Sequence, residues 1–487
     1  MGAPTNQGAR KQRNRRRARA AVLVAALVLA PSCATDAAAR GSTGPRPSIA
    51  RTTRAPAHDA SAPADPQRVA DQPWRLSEVL ERIASGSPTL GQALARIDQA
   101  RAAVREARAS YAPELSLQVD FVATDDPAQA FALLLNQERL SLGPAFDPTP
   151  GSTRNWREQV RLDWPLFAPG RSQAHAAARE GELAARAQSE AIERRLLNAG
   201  VQSWLALRAA LELERVARES IAAVEQRLEQ TRVRAREGAA LQADVLRFEV
   251  RVAASRDEAA RAQFSVARAR NALAALMDVR AEELLRVDSA PVEVGAELES
   301  ELGALLERAR RERADLTALA HRVRTAELAS SAREAERLPS LGLFASYAFD
   351  DQDLRLDSDL DKYLVGVGLR VPLSARTGPR IEGARAQERV AALELRSLEL
   401  EIEREVRDAW AEEAAARQSL ALAQSAIQAA EEAFRVLSLA QDAGGATVTD
   451  VLEAQDALNL AKVRGVAASA GVQLARARLV AAIGGVQ

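Results

Sequence analysis

One short motif occurs twice in the chain and determines its overall organisation. A glycine, five further residues and Asp-Val-Leu occupy 238–246, and the same pattern occupies 444–452, with the two glycines 206 positions apart. Each copy interrupts a long helical pattern. A glycine can take the left-handed conformation that turns the chain, and an aspartate suits the first turn of the next helix. We therefore predict two copies of one unit, each containing a helical hairpin whose tip is this motif.

Long helical patterns lead up to and away from each tip. Residues 172–236 contain no proline, and their apolar residues recur at spacings of three and four. At about 1.5 Å per residue, this helix would be roughly 100 Å long. The apolar stripe is thin and rich in alanine, so we expect the helices to pack closely on one another as in a coiled coil.

Four segments of about ten residues instead alternate between apolar and polar residues, which predicts β-strands. Of the 17 aromatic residues, 11 lie in or beside these segments. Alternating segments flanked by aromatics are typical of transmembrane barrels, whose apolar side faces lipid and whose polar side faces a wet lumen. The predicted strands cover about residues 113–123, 156–167, 340–349 and 362–373, two in each unit.

Four strands cannot close a barrel. Known barrels have at least about eight strands, and lipid does not tolerate an open strand edge. The chain must therefore oligomerise, and three copies would supply twelve strands, although the strand count alone leaves the number of copies open. The loop between the strands is longer in the first unit than in the second, and it contains an apolar segment, Phe131–Leu135. This segment has two possible interpretations, a packed loop turn or a cover over the barrel mouth.

The N-terminus has the layout of a secretory signal peptide. Seven basic residues precede the apolar run 20–30, and small residues follow it. We expect residues 1–33 to be the signal peptide and 34–73 a disordered leader. Cys33, the only cysteine, is a candidate lipid-attachment site of a bacterial lipoprotein; the alternative is ordinary cleavage near Ala34 or Ala39, which would remove it.

The composition argues against nucleic acid as a partner and against catalysis. The chain has 66 basic and 66 acidic residues, interspersed as on solvated helix faces. His58, His175 and His321 are far apart and have no metal-ligand spacing. The sequence has no recognisable nucleophile arrangement or phosphate-binding glycine loop. We therefore expect no enzymatic activity, no metal and no cofactor.

With these features the chain resembles the TolC family of bacterial outer-membrane efflux proteins over roughly residues 74–485. The resemblance places a first repeat at 74–277, a connector at 278–298 and a second repeat at 299–487. The segments that carry it, besides the two tip motifs, are Trp164–Arg171, Ala109–Leu117, Arg337–Leu343 and Ala482–Gly485.

The resemblance implies a mostly α-helical homotrimer with a small transmembrane β part. Four strands per chain would contribute to one twelve-stranded barrel in the outer membrane, and the long helices would form a tunnel across the periplasm. A periplasmic adaptor and an inner-membrane pump would be the partners, and the chain would be a passive conduit. The exported substrate stays open among drugs, metal ions and proteins. The competing interpretation is a periplasmic coiled-coil scaffold without a channel, whose strands form soluble hairpins.

The resemblance also implies two kinds of site at the tips, placed at about 237–246 and 443–453. In some relatives, acidic residues of the second tip narrow the closed tunnel, and the matching positions are Asp450 and Glu453. Thr447 and Asp450 equally fit a helix-capping pair, and the two roles are compatible. Grooves beside the tips receive the adaptor, which implies contacts at Gly238, Ala239, Leu241, Asp244, Val245, Leu246, Gly444, Gly445, Asp450, Val451 and Leu452.

Overall fold

A computed structural model describes most of the chain, as two units. One unit is built around a sheet and contains Ser110–Ala168 and Ser340–Arg370, and the other is helical. The predicted signal peptide, Cys33, the leader up to residue 72 and most of the predicted connector lie outside the described residues. The described residues are 73–140, 151–238, 240–284, 286–288, 301–354 and 361–485.

Helices dominate, as the sequence predicts, and four strands form one sheet. In chain order the elements are α1 (Leu76–Gly86), α2 (Pro88–Ala109), β1 (Glu114–Thr124), α3 (Pro127–Asn136), β2 (Thr153–Phe167), α4 (Arg171–Arg236), α5 (Gln242–Met277), a 3₁₀ turn (Ala281–Leu284), α6 (Leu302–Glu312), α7 (Ala314–Ala335), β3 (Ser340–Asp351), β4 (Asp361–Arg370), α8 (Thr377–Asp442) and α9 (Val448–Ala482).

The sheet is antiparallel, with the order β1–β2–β3–β4. β2 begins three residues before the predicted segment, and β4 ends at Arg370, three residues before the predicted end. Pro372 lies just beyond it and has no N–H to donate to a ladder. We call the end at which β1 joins β2 and β3 joins β4 the hairpin end.

The register sorts the side chains of the sheet into two faces. Residues directly opposite each other on neighbouring strands share a face. Leu117, Val160, Tyr347 and Tyr363 form one such row across all four strands. The next row, on the opposite face, is Gln118, Gln159, Ala348 and Lys362. The sheet therefore has an apolar face and a polar face, as the alternation predicts.

The apolar face is uncovered on the two outer strands. Leu117 on β1 is 73% exposed, and Tyr363 on β4 is 81% exposed. A soluble antiparallel sheet would pack its apolar face against a core. An apolar face left exposed over two whole strands instead marks an interaction surface, here one suited to lipid.

The helical unit consists of two long hairpins that lie against each other. α4 and α8 each have 66 residues, which corresponds to about 100 Å at 1.5 Å per residue. α4 packs against α5, α9 against α4, and α8 against α9, so the four helices have the order α5–α4–α9–α8. Trp204, Leu207, Leu273 and Met277 are buried in the main cluster between α4 and α5.

The shorter helices pack along the long hairpins. α2 and α7 lie along α4, while α6 and α7 contact α8. Where the sequence left the connector without a predicted form, Trp74 and Val287 pair in a short parallel bridge. No described helix combines the length and apolar character needed to cross a membrane.

Candidate functional site

The first tip turns at Gly238, which has a φ of +78°. Only glycine adopts this left-handed conformation without strain, so the predicted role of Gly238 in the turn is confirmed. After the turn, Asp244 Oδ2 accepts a hydrogen bond from the Leu241 N–H at 3.3 Å. A carboxylate therefore satisfies one free N–H at the start of α5 although the tip lacks a capping hydroxyl. Ala239 lies outside the described residues.

The second tip turns in the same way at Gly444, with a φ of +78°. Here the predicted capping pair is present. The Thr447 N–H donates to Asp450 Oδ2 at 2.8 Å, and Thr447 Oγ1 accepts from the Asp450 N–H at 3.2 Å. The Thr447 hydroxyl also donates to the same carboxylate at 2.7 Å. The hydroxyl and then the backbone N–H lower the pKa of Asp450, so it carries its charge at neutral pH.

The two proposed gate residues differ in their surroundings. Asp450 is occupied in the cap of α9, whereas Glu453 is exposed one turn further along the same helix. Residues three apart lie on one side of a helix, so both carboxylates share a surface. The cap orients Asp450, while the side chain of Glu453 extends into solvent.

The predicted adaptor residues divide into buried and exposed groups. Val245 is buried in a cluster with Val224 and Phe248, against which Leu452 of the second hairpin packs. Val451 is also buried. Leu241 and Leu246 are exposed apolar side chains beside the first tip. The hairpins are therefore packed together by the valine of the first Asp-Val-Leu motif and the leucine of the second, and on the first tip the leucine is available to a partner.

Two arginines of α5 tie the first hairpin to the second, and sequence reasoning missed both. Arg247 Nη1 donates to Thr449 Oγ1 at 3.0 Å, and Arg251 Nε lies 2.6 Å from Asp456 Oδ1. Arg251 also contacts Glu258 at 3.2 Å. The signal present in the sequence was their spacing of four, which puts both on one face of α5.

The polar face of the sheet carries balanced charges and one aromatic ring. Arg161 pairs with Asp163 along β2 at 2.6 Å. The ring of Phe344 on β3 lies over Gly366 of β4, because a β-carbon built on Gly366 would be 2.4 Å from the nearest ring atom. The missing side chain at Gly366 lets the ring lie against the sheet instead of standing out from the polar face. Among the described residues no cluster of His, Cys, Asp and Glu is arranged to hold a metal.

A family model described as outer membrane efflux protein matches residues 79–278 and 305–485. The two matched segments contain the two tips and all four strands. No curated protein matches the chain significantly.

Solved structures share the fold at low sequence identity. The outer membrane protein VceC of Vibrio cholerae has a TM-score of 0.71 and 21% identity, over 84% of this chain and 96% of its own. A membrane protein of Pseudomonas aeruginosa has a TM-score of 0.74 and 21% identity, over 84% and 90%. The CmeC outer membrane channel of Campylobacter jejuni has a TM-score of 0.72 and 15% identity, over 84% and 85%.

Proposed function

The chain belongs to the outer membrane efflux protein family, and on that premise we propose that three copies of it close one channel. The protein is an outer-membrane channel of tripartite efflux, which spans the outer membrane and extends into the periplasm. It supplies the conduit, while the energy comes from the other components.

We infer the trimer from the two open edges of the sheet. Within the described residues, β1 pairs only with β2 and β4 only with β3. An unpaired edge cannot remain in lipid, because its N–H and C=O groups have no water to bind. Pairing β4 of one copy with β1 of the next satisfies both edges at once, and three copies give twelve strands.

The helical unit supports the same arrangement independently. In the order α5–α4–α9–α8, the two outer helices expose apolar residues away from their own hairpins. In a ring of chains, α5 of one copy would cover α8 of its neighbour. The exposed residues are Val250 and Phe264 on α5 and Val390, Leu393 and Leu400 on α8.

Disulfide crosslinking between neighbouring copies tests the trimer. Within one chain β1 and β4 are three strand spacings apart, about 14 Å, which is too far for a disulfide. We expect Gln118→Cys on β1 to crosslink with one of Lys362→Cys, Leu364→Cys, Gly366→Cys or Gly368→Cys on β4. The product should run as dimers and trimers of chains. A protein that yields only monomers with all four partners would contradict the shared barrel.

We place the adaptor at the two tips and the pump beyond it. Leu241 and Leu246, with the turn glycines Gly238 and Gly444, offer an exposed surface beside the first and second tips. A photo-crosslinking residue at Leu246 should capture a periplasmic adaptor in the native cells. Leu460 is the matched control, because it is a similarly exposed leucine further along α9 and should capture none.

Asp450 and Glu453 complete the proposal as the acidic constriction of the closed tips. Three copies would bring six carboxylates around one axis, where they attract cations and repel one another. The lowered pKa of Asp450 keeps this residue ionised at neutral pH. The helices would open when the adaptor engages them.

A further inference from the structure

The polar face of the sheet is covered at its hairpin end. Thr153, Asn155, Ala348 and Asp350 all belong to this face, and each is at most 6% exposed. A face lining a wet lumen would leave such residues in contact with water. The element that covers them is α3, which packs against β2.

A closed ring of hydrogen bonds fastens the end of α3 to three strands. Gln137 Nε2 donates to Asn155 Oδ1 at 2.9 Å, and Asn155 Nδ2 donates to Asp350 Oδ1 at 2.8 Å. Lys362 Nζ then bridges Asp350 Oδ2 at 3.1 Å and the Asn136 carbonyl at 2.7 Å. The lysine therefore reaches the C-terminal carbonyl end of α3, where a positive charge is favoured. β2, β3 and β4 each contribute one member to this ring.

The other end of α3 is fixed as well. Asp126 Oδ1 accepts from the N–H groups of Ala128 and Gln129 at 2.9 and 3.1 Å, and Pro127 occupies the first helical position. Thr124 Oγ1, at the end of β1, accepts from the Asp126 N–H at 3.1 Å. Ala130, in the middle of α3, is fully buried. A helix capped at its start and bound to three strands at its end is a built element of the sheet unit.

We propose that α3 is a fixed constriction at the outer mouth of the channel, which limits the size of the molecules that can leave. This rests on the proposed trimer, with the polar face towards the lumen. In an outer-membrane channel whose helices lie in the periplasm, the strand-to-strand loops are external. Twelve strands about 4.8 Å apart and tilted by about 40° enclose a barrel about 24 Å across between backbones. Because a helix with its side chains is about 10 Å wide, three copies of α3 cover most of that opening.

The labelling rate of a cysteine inside the lumen tests how wide the outer mouth is, independently of the periplasmic tips. Ser346 lies on the polar face of β3, four residues or about 13 Å from Asp350 along the strand. In whole cells, Ser346→Cys should react with a small charged thiol reagent added outside. It should react far more slowly with a maleimide carried on a large polyethylene glycol. The native chain, with Cys33 alone, is the background.

Releasing α3 should open the mouth to the large reagent. Gln137→Ala in the Ser346→Cys chain removes the first hydrogen bond of the ring, and labelling by the large reagent should rise by roughly tenfold as the opening widens. Lys362→Met removes the other attachment and should act in the same direction. Gln118→Ala is the matched control, because Gln118 lies on the polar face of β1 outside the ring and should change nothing.

Each outcome decides one claim. If the small reagent labels Leu354→Cys at the hairpin end but not Ser346→Cys, the polar face is not a lumen and the proposed channel fails. If both reagents label Ser346→Cys equally fast in the native background, the channel stands and the constriction is wrong. The constriction is also overturned if trimers carrying Gln137→Ala and Lys362→Met both exclude the large reagent as before.

A second measurement does not depend on cutting the ring. Leu135 on α3 and Leu354 after β3 are similarly exposed leucines in the sheet unit. Attaching a bulky thiol reagent to Leu135→Cys should reduce the single-channel current, whereas the same adduct on Leu354→Cys should not. Equal effects at both positions would overturn the constriction even if the ring variants fail to assemble.

Discussion

Arg251 Nε lies 2.6 Å from Asp456 Oδ1, and this ion pair joins the helix after the first tip to the helix after the second. We predict that Arg251→Gln removes this attraction, loosens the two hairpins and increases the time that the channel spends open. A pair with one half-exposed partner contributes about 0.5–1 kcal/mol, so the open fraction should rise by about two- to fivefold in planar bilayers. Arg261→Gln is the control, since Arg261 pairs with Asp257 within α5. An equal effect of both variants would contradict the link.

The same pair predicts a pH dependence. Burial raises the pKa of Asp456. The positive charge of Arg251 lowers this pKa, and the negative charge of Glu258, which also contacts Arg251, raises it further. A carboxyl group whose pKa is raised by folding stabilises the folded state at pH values below its unfolded pKa. That stabilisation is lost as the pH rises through its folded pKa. The packed hairpins of the closed tips therefore hold the proton of Asp456 more tightly than separated hairpins do. Open time should decrease as the pH falls through the raised pKa, and Asp456→Asn should remove this part of the profile; an unchanged profile would refute it.

Three substitutions separate the capping role of the second tip from its charge. Thr447→Ala removes the hydroxyl cap but keeps both carboxylates, and should cost about 1 kcal/mol of stability with cation preference unchanged. Glu453→Gln removes a charge without touching the cap, and should lower cation preference at unchanged stability. Asp450→Asn should do both. Reversal potentials and thermal unfolding check this, and full cation preference in the two carboxyl variants would remove the gate assignment.

The lowered pKa of Asp450 sets the acid limit of this cap. A carboxyl group whose pKa is lowered by folding stabilises the folded state at pH values above its unfolded pKa. That stabilisation is lost as the pH falls through its lower, folded pKa. The wild-type second tip should therefore remain capped at mildly acidic pH. Acid unfolding of the wild type and of Asp450→Asn, compared side by side, should converge only below the ordinary range of an aspartate.

Gly366 keeps the ring of Phe344 against the sheet. A methyl group there would lie 2.4 Å from the ring, so Gly366→Ala should push Phe344 off β4, at about 1–3 kcal/mol of overpacking, and reduce current through the barrel. Gly342→Ala is the control, because its nearest neighbour would be at an ordinary 3.6 Å. Adding Phe344→Ala to Gly366→Ala should restore the current. A Gly366→Ala channel that conducts normally would mean that the ring does not border the lumen.

Two neighbouring residues of β4 distinguish a barrel in lipid from a soluble sheet. Val365 is 64% exposed on the apolar face and Leu364 is 58% exposed on the polar face. Val365→Arg should cost about 2–4 kcal/mol of stability in the membrane and abolish insertion, because it faces lipid. Leu364→Arg should be tolerated in a wet lumen. Equal tolerance of both would favour the scaffold interpretation.

The features predicted correctly from the sequence are those that local chemistry determines. The two-residue period sorted the strands into faces, and the glycines at 238 and 444 take the conformation that their turns need. The pair Thr447 and Asp450 forms its cap because both partners lie within one helical turn. The long helices were predicted for the same reason, from a thin alanine-rich apolar stripe that continues along each long helical pattern.

Features that depend on distant residues could not be predicted in this way. The sequence left two interpretations open for Phe131–Leu135, a packed loop turn and a cover over the barrel mouth. In the structure this segment is part of the helix α3. Its position depends on Gln137 meeting Asn155, Asp350 and Lys362, which no local pattern brings together. The same holds for Arg251 and Asp456, which lie 205 positions apart in the chain. Only the folded register shows such partners.

Single-channel recording of the purified mature protein in a lipid bilayer, paired with its native mass, tests the central claim most directly. A trimer that inserts and carries a small, cation-preferring current is the predicted result, because three sheets close the barrel and acidic tips narrow the tunnel. A protein that never inserts and has the mass of a soluble monomer or dimer would contradict the account, since the apolar face of the sheet would then not face lipid.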